Sequence, residues 1–169
     1  LQASRAELAR DLIRLIGIKS VQGEPLPGAP FGNGPKMMLD EVLRMGEAAG
    51  FYTEDYGCGV GSLALRPGQP DLGIWLHGDV VPEGDGWNFE PYNAVEYKNC
   101  VVGRGATDNK GQMMAIFHLL KIFKALEIPA SVTSIGEGAF AFCRSLESAK
   151  ICGAVEKIEK WTFRDCVAL

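Results

Sequence analysis

The sequence predicts an α/β domain, with a mixed sheet and helices, followed by two units of a repeat solenoid. Three observations lead to this prediction. Segments of helical periodicity alternate with short apolar runs over the first three quarters of the chain, and one run, Leu72–His77, has the composition of a central strand. From Ile128 onward, the apolar residues instead recur every 23 positions. We therefore divide the chain into two domains, residues 1–127 and residues 128–169.

Three helices are predicted in the first domain, over residues 5–16, 35–49 and 110–126. Ser4 and Glu7 have the spacing of a capping box at the start of the first helix. Pro35 suits the first position of the second helix, and Gly50 suits its C-terminal cap. The third helix is expected to end before Pro129, because the residue before a proline disfavours helical geometry.

Short strands are predicted over residues 51–55, 62–66, 95–97 and 100–102, with Lys98 and Asn99 as the turn between the last two. Residues 17–34 and 82–93 are rich in Gly and Pro and are expected to be loops. The almost unbroken apolar run Leu72–His77 suits a strand buried on both faces. His77 and Asp79 are then expected at the carboxyl end of a central strand, where open α/β sheets place their sites.

The composition argues against several kinds of partner. A net charge of −4, with scattered Lys and Arg, predicts no nucleic-acid partner. The longest apolar runs are far below the roughly 18 residues of a membrane span, so we expect a soluble protein with no membrane partner. Five cysteines without CxxC spacing are expected to be reduced and buried.

His77, Asp79 and Asp108 are the candidate metal-site residues. An imidazole and two carboxylates, placed at the end of an apolar run and in a Gly-rich turn, are the groups that zinc requires. Taken alone, His77 and Asp79 would more often be a satisfied polar pair at a strand end. The glycines of residues 103–111 lack the spacing of a dinucleotide fingerprint, so a phosphate site is disfavoured there.

Three further polar residues are interpreted as structural. His118 lies in the middle of the third helix without a carboxylate at matching spacing, so we expect a structural or exposed histidine. Arg104 and Lys110 could bind an anion near the Gly-rich loop. We expect them instead to hold that loop through backbone carbonyl groups.

Residues 5 to about 127 resemble the dinuclear zinc peptidase family, which includes carnosinase-like dipeptidases, desuccinylases, aminoacylases and glutamate carboxypeptidases. The likeness is greatest to the bacterial dipeptidase branch. Four motifs in the order of the family carry it: residues 28–35, residues 77–82, residues 84–87 and residues 103–111 with Asp108, Asn109, Lys110 and Gly111.

The resemblance implies roles for the candidate residues. His77 would ligate one zinc ion, Asp108 would bridge two, and Asp79 would stand behind His77 and fix its tautomer as a catalytic carboxylate. Asn109 stands where an acidic residue is common, and the Asp108–Asn109 peptide bond is expected to be cis. The implied reaction is hydrolysis of a dipeptide or an N-acyl amino acid, with zinc polarising the scissile carbonyl.

The chain departs from the family at Ile128. In the family, the glutamate base and the later metal ligands lie downstream, beginning with a Glu-Glu turn, and no adjacent glutamate pair occurs in this sequence. We therefore expect a truncated catalytic domain that is inactive in this chain. Whether the chain is an enzyme stays open at this point.

Residues 128–169 resemble the BspA-like leucine-rich repeat of surface antigens. Six apolar positions of the first 23-residue repeat are matched 23 residues later in the second repeat. They are Ile128, Val132, Ile135, Phe140, Cys143 and Leu146, matched by Ile151, Val155, Ile158, Phe163, Cys166 and Leu169. The second unit departs at Cys152, where Pro is usual, and at Thr162. Two units fall below the roughly three that a stable array needs, so the chain is expected to be cut off.

The repeats supply the alternative function. Such repeats imply a protein partner, so the chain is either derived from a zinc dipeptidase-like hydrolase or is a protein-interaction module that carries a non-catalytic peptidase part. We assign the protein to the cytoplasm, although the repeats would also fit a cell-surface protein.

Overall fold

The computed structural model describes residues 2–68 and 72–169, with side chains from Arg5 onward. The chain forms two compact units, one extending to His118 and the other covering Leu119–Leu169. The mixture of helices and strands fits the predicted α/β class. None of the helices in the described part is long and apolar enough to cross a membrane.

The three predicted helices are confirmed as α1 (Gln2–Ile16), α2 (Asn33–Ala48) and α3 (Lys110–Lys124). The predicted capping box depends on the side chain of Ser4, which lies outside the described residues. Helix α2 begins two residues before Pro35, so the prediction of Pro35 as its first residue is wrong. Gly34 in this first turn packs closely against an earlier segment, since a Cβ atom there would lie 2.3 Å from the carbonyl oxygen of Lys19. Gly50 ends the helix as predicted, with a φ of 74°.

Two antiparallel hairpins confirm four of the predicted strands. Strand β1 (Tyr52–Gly57) pairs with β2 (Val60–Ala64), and β3 (Val95–Tyr97) pairs with β4 (Cys100–Val102). Lys98 and Asn99 turn the second hairpin with φ values of 47° and 65°. Two consecutive positive φ angles are typical of the tight hairpin turn, because their twist matches that of the strands.

The prediction of a buried central strand at Leu72–His77 is wrong. No strand is assigned between residues 72 and 79, and Leu72 and Trp75 are 77% and 88% exposed. Polar contacts with distant residues are found at the end of this segment, where His77 meets Asp108 and the carbonyl of Gly78 meets Ser20, and Val80 then forms a parallel bridge with Val21. A central strand is buried only when other strands lie on both sides of it. Each sheet in the described part of the chain contains only two strands. The predicted mixed sheet is accordingly replaced by separate two-stranded sheets.

The core of the first unit lies between the helices and the segment that follows α2. Leu15 and Ile16 of α1 and Met114 of α3 have no exposed surface. Phe51, next to Gly50 at the end of α2, packs edge-on against Phe117 of α3 with ring centres 5.5 Å apart. Each such side chain stabilises the fold by roughly 1.5–3 kcal/mol relative to its exposed state.

The second unit consists of two parallel ladders. Strand β5 (Ala125–Ile128) pairs with β7 (Ser148–Ile151), and β6 (Ser134–Ile135) pairs with β8 (Lys157–Ile158). Ala125 lies opposite Ser148 and Ser134 opposite Lys157, so both ladders have the 23-residue offset of the predicted repeat. Helix α3 ends at Lys124 and not at the predicted Leu126, because residues 125–128 pair with β7.

Three of the six apolar slots are buried in the first 23-residue repeat and exposed in the second. Ile128, Ile135 and Leu146 are 4%, 5% and 3% exposed. Their counterparts 23 residues later, Ile151, Ile158 and Leu169, are 40%, 49% and 51% exposed. Stacking of consecutive units therefore buries apolar slots in this segment.

All five cysteines are free, as predicted, but the prediction that they are buried is wrong. Cys58, Cys100 and Cys152 are exposed, and the other two are partly exposed. Cys58 lies in the turn between β1 and β2, and Cys100 begins the edge strand β4.

Candidate metal centre

His77 lies between the two candidate carboxylates. Its Nε2 atom is 3.0 Å from Oδ1 of Asp108. On the other side of the ring, Nδ1 is 3.2 Å from the carbonyl oxygen of Asp79 and 3.3 Å from Oδ1 of the same residue. The three residues singled out in the sequence are therefore brought together, although His77 and Asp108 are 31 positions apart.

The ring of His77 has an oxygen atom facing each of its nitrogens. A neutral imidazole carries one N–H, so it can satisfy only one of these acceptors. Burial acts to lower the pKa of His77, but hydrogen bonds with the Asp79 carbonyl and the Asp108 carboxylate outweigh it and raise the pKa. With Nδ1 donating to Asp79, the position between Nε2 and Asp108 suits a proton or a metal cation.

Asp108 is carried by a loop that Lys110 fixes to the first helix. The Nζ atom of Lys110, which has no exposed surface, donates to the carbonyl oxygens of Leu15 at 2.9 Å and Ile18 at 2.8 Å. Burial lowers the pKa of Lys110 to about 8. The prediction that Lys110 holds the loop through backbone carbonyls is confirmed. The Asp108–Asn109 peptide bond is cis, as expected from the resemblance.

Ser20 fixes the segment that carries His77 and Asp79. Its Oγ atom donates to the carbonyl oxygen of Gly78 at 2.6 Å, and its own carbonyl accepts from the N–H of Val80 at 3.0 Å. Ser20 has no exposed surface. Sequence reasoning missed this residue, because a serine in a Gly- and Pro-rich loop carries no signal of its distant partner.

Glu83 anchors the loop of residues 82–93 beside the candidate site. Its carboxylate accepts from Nζ of Lys19 at 2.8 Å and from the hydroxyl of Tyr92 at 2.9 Å. Its backbone carbonyl accepts from Nε1 of Trp87 at 2.7 Å and from a guanidinium nitrogen of Arg104 at 2.6 Å. The bond to this carbonyl confirms the structural role predicted for Arg104.

The ionisation of Glu83 follows from these contacts. The hydrogen bond from Lys19, one from its own backbone N–H and one from Tyr92 lower the pKa of Glu83 to about 2. Burial, together with the hydrogen bond to Glu83, raises the pKa of Tyr92 to about 12. The sequence analysis missed Glu83; the only signal was its place in a loop with Trp87 and Tyr92.

A cavity of about 270 Å³ joins the candidate residues to this loop. It is lined by His77, Asp79, Val80, Val81, Trp87, Gly103, Arg104, Gly105, Thr107 and Asp108. Nε2 of His77 and Oδ1 of Asp108 face each other there and could share one cation, whereas Asp79 lies against the opposite ring nitrogen. In the described part of the chain, no group of three or more His, Cys, Asp and Glu side chains is arranged to hold a metal ion. Since zinc takes three or four protein ligands, these residues fit only part of a zinc site.

His118 is structural, as predicted. Its Nε2 atom lies 2.8 Å from Oδ2 of Asp11, and its side chain is 10% exposed. The partner carboxylate was missed in the sequence, because it lies on α1, 107 positions away.

Comparison with known families confirms both resemblances predicted from the sequence. Residues 74–139 match the model of the peptidase family M20/M25/M40, and residues 114–169 match the model of the BspA type leucine rich repeat region. The chain is thus similar to M20-type peptidases in one segment and to BspA-type repeats in another, and the two matches overlap at residues 114–139. The first match contains His77, Asp79 and Asp108, and the second contains both parallel ladders.

Individual relatives are similar to the peptidase side of the chain. "Putative dipeptidase YtjP" of Bacillus subtilis is 38% identical over 129 residues, which cover 75% of this chain and 28% of the relative. "Putative dipeptidase" of Staphylococcus epidermidis is 34% identical over 124 residues, covering 72% of this chain and 26% of the relative. One from Staphylococcus haemolyticus is 32% identical over 129 residues. The chain therefore spans little more than a quarter of the length of these relatives.

Proposed function

We propose that the first unit carries part of a zinc-dependent hydrolase site for dipeptides or N-acyl amino acids. In this proposal His77 and Asp108 are metal ligands, and Asp79 is the positioning carboxylate behind His77. The observation that carries it is the 3.0 Å approach of Nε2 of His77 to Oδ1 of Asp108, with Asp79 on the other ring nitrogen. The dipeptidase names of the relatives support the substrate class.

The chemistry divides between the metal and the residues of the chain. Bound zinc would polarise the scissile carbonyl and lower the pKa of water. Asp79 holds the Nδ1 proton of His77, which leaves Nε2 free to ligate and keeps the ring oriented toward Asp108. Ser20 and Lys110 hold the two segments that bring these side chains to one cavity, through the contacts with Gly78, Leu15 and Ile18.

We further propose that this 169-residue chain by itself does not turn over dipeptides. Two ligands are too few for tight zinc binding, and the described residues offer no third His, Cys, Asp or Glu at the same point. We place the functional boundary of the peptidase part near residue 127, where the first 23-residue unit begins. Residues 1–127 would then be a truncated catalytic domain.

The test is a zinc titration of the full chain by calorimetry, together with an assay of dipeptide hydrolysis. We expect weak binding that His77→Ala and Asp108→Ala abolish and that Asp79→Asn weakens. Glu24→Gln, which alters an exposed carboxylate outside the cavity lining, is the matched control and should bind as the parent does. Tight binding of two zinc ions with measurable turnover would contradict the proposed inactivity, and binding unaffected by His77→Ala would contradict the ligand assignment.

The second candidate function is a protein-interaction module in the second unit. The two parallel ladders with a 23-residue offset support this function. Stacked repeats form an extended surface, and repeat proteins bind their partners on such surfaces. We propose that these two 23-residue repeats form a solenoid. Selection of peptides from a display library by the full chain tests this function, and it should succeed equally with His77→Ala. Absence of any enriched peptide would contradict it.

A further inference from the structure

An open strand edge lies on the second 23-residue repeat, along residues 156–160, and we name it the repeat edge. It contains β8, which pairs with β6 of the first repeat. Each sheet in the described part of the chain has only two strands, so within this part the other side of β8 has no strand partner. Ile158 is 49% exposed there, whereas Ile135, its counterpart in β6, is 5% exposed. An exposed strand edge is a template for pairing with another chain.

Hydrogen bonds to the first repeat hold the main chain of the repeat edge at both ends. The N–H of Glu156 donates to the carbonyl oxygen of Thr133 at 2.8 Å. The carbonyl oxygen of Lys160 accepts from the N–H of Gly138 at 3.1 Å. Residues 156–160 therefore follow the first repeat along their whole length. An edge that is arranged in advance loses less conformational freedom when it binds a partner.

The charges of the repeat edge alternate around an apolar centre. The order is Glu156, Lys157, Ile158, Glu159 and Lys160. Nζ of Lys157 lies 2.5 Å from Oε1 of Glu159, and these two side chains are 66% and 38% exposed. Reversal of the order leaves Ile158 in the centre, replaces every acid by a base and replaces every base by an acid. The repeat edge is therefore complementary to a reversed copy of itself.

Folding of the ladder does not account for these charges. The equivalent residues of the first repeat, 133–137, are Thr, Ser, Ile, Gly and Glu, of which only Glu137 is charged. The first repeat thus takes part in the same ladder with one charged side chain, whereas the exposed repeat edge has four. Charges on an exposed edge commonly prevent strand pairing. The order of the charges decides which pairings are prevented.

This order selects one antiparallel register. With Ile158 opposite Ile158 of a second copy, Lys157 faces Glu159 and Glu156 faces Lys160. A shift by one residue in either direction places Glu156 opposite Glu159 or Lys157 opposite Lys160. A parallel, in-register pair places every charge opposite an identical one. Opposite charges across a strand pair are stabilising and like charges are destabilising, so the register centred on Ile158 is the one in which every charge is matched.

We propose that the repeat edge is a dimer interface, on which two copies of this chain meet antiparallel about a twofold axis at Ile158. Such an interface is isologous, so both copies contribute the same residues. The exposed side chain of Ile158 is covered by its counterpart, and each charge of the repeat edge meets an opposite charge. Because the partner is a second copy of the same chain, this inference goes beyond both candidate functions and requires neither zinc nor a peptide ligand.

The test is sedimentation velocity of the full chain over a range of concentrations, with single charge reversals in the repeat edge. We expect the parent to form a dimer. Lys157→Glu puts a carboxylate opposite Glu159 of the second copy, and Glu159→Lys puts an ammonium group opposite Lys157 of the second copy. Each reversal acts twice in a symmetric dimer, so we expect the dissociation constant to rise by at least about tenfold.

Mixing the two variants separates pairing from folding. In the mixture, the carboxylates of the Lys157→Glu chain face the ammonium groups of the Glu159→Lys chain. Fluorescence-detected sedimentation of a labelled Lys157→Glu chain, titrated with the unlabelled Glu159→Lys chain, should recover a dissociation constant near that of the parent. The double exchange, with both substitutions in one chain, keeps the alternation and should dimerise as the parent does. A folding defect in either variant would not be corrected by mixing.

Lys150→Glu is the matched control. It reverses a charge on β7, outside the repeat edge, and it breaks an exposed ion pair in which Nζ of Lys150 is 3.6 Å from Oε1 of Glu127. We expect this variant to dimerise as the parent does. Association through any other surface of the molecule is common to all of these chains, so it does not alter the comparison.

Several results would overturn the proposal. They are a parent that stays monomeric at every concentration, equal dimerisation of the parent and both single reversals, and a mixture that pairs no more tightly than either variant alone. If a display-selected peptide protects residues 156–160 from hydrogen exchange while the parent stays monomeric, the repeat edge belongs to a peptide partner and self-pairing fails. Zinc titration does not depend on these substitutions, so failure of the dimer leaves the proposed metal site untouched.

Discussion

The Nζ atom of Lys110 donates a hydrogen bond to the carbonyl of Leu15, which lies 95 residues earlier in the chain, at 2.9 Å. This contact ties the loop that carries Asp108 to the end of α1. A second bond from the same ammonium group reaches Ile18 at 2.8 Å. Lys110 therefore helps to position the candidate metal centre, although the hydrogen bonds described for it go to backbone carbonyls and not to Asp79 or Asp108.

Lys110→Met is expected to destabilise the protein. The substitution leaves the part-buried carbonyl oxygen of Ile18 without the donor described for it, and it removes one of the two donors to the carbonyl of Leu15, which keeps the N–H of Ile18. An unsatisfied buried polar group costs about 1–3 kcal/mol. Urea unfolding followed by circular dichroism measures the change. Gln112→Met, at an exposed position on the same helix, is the matched control and should unfold near the parent midpoint. Equal midpoints for the parent and Lys110→Met would contradict the anchoring role.

Stability is expected to rise as the pH increases from about 8 to 10.5. Burial lowers the pKa of Lys110 to about 8 in the folded protein, from 10.5 for an unperturbed lysine. Between these values the unfolded chain binds more protons than the folded one, so the free energy of unfolding increases with pH. The shift corresponds to about 3 kcal/mol at most.

The contribution of Lys110 to this pH dependence is obtained by subtraction. Tyrosines, cysteines and other lysines titrate over the same range, but they are common to the parent and Lys110→Met. The difference between the two unfolding free energies should therefore change in favour of the parent as the pH rises from 8 to 10.5. A difference that is independent of pH would show that Lys110 keeps its ordinary pKa.

Glu83→Gln is expected to remove part of the acid sensitivity of the fold. The pKa of Glu83 is lowered to about 2 from 4.5, chiefly by the hydrogen bond from Lys19. Its stabilising contribution is complete above pH 4.5 and is lost as the pH falls toward 2. Unfolding midpoints measured between these pH values should decline less for Glu83→Gln than for the parent. Glu24→Gln, an exposed glutamate in another loop, should behave as the parent does.

The segment from Leu72 to Leu76 is expected to cause self-association. Ile74 and Trp75 are 54% and 88% exposed, and no charged or proline residue interrupts the run. Exposed apolar strands with unpaired backbone groups readily pair with other chains. Sedimentation velocity over a range of concentrations should detect oligomers.

Trp75→Lys should shift this association toward the monomer, because charge on an exposed strand opposes pairing. Tyr56→Lys changes another exposed aromatic residue, 58% accessible on β1, and is the matched control. Equal association of the parent and Trp75→Lys would place the contact elsewhere on the surface.

Local sequence patterns predicted much of the secondary structure and the candidate residues. Both hairpins and all three helices occur close to their predicted positions, because their periodicity and turn residues act over a few neighbouring positions. Tertiary pairing overrode the pattern at Ala125 and Leu126, which were predicted as helix and lie in β5 opposite β7. Local patterns do not predict whether a strand is buried, because burial depends on neighbouring segments that the apolar run Leu72–His77 does not specify.

The sequence by itself determined the three helices, the 23-residue offset and the identities of His77, Asp79 and Asp108 as candidate site residues. Only the tertiary structure decided which nitrogen of His77 faces which carboxylate, and that Leu72–His77 lies open to solvent. It also revealed Ser20 and Glu83 as anchors of the site. The physical reason is that periodicity and motif spacing are local, whereas hydrogen-bond partners and strand neighbours are set by segments that meet only in the folded chain.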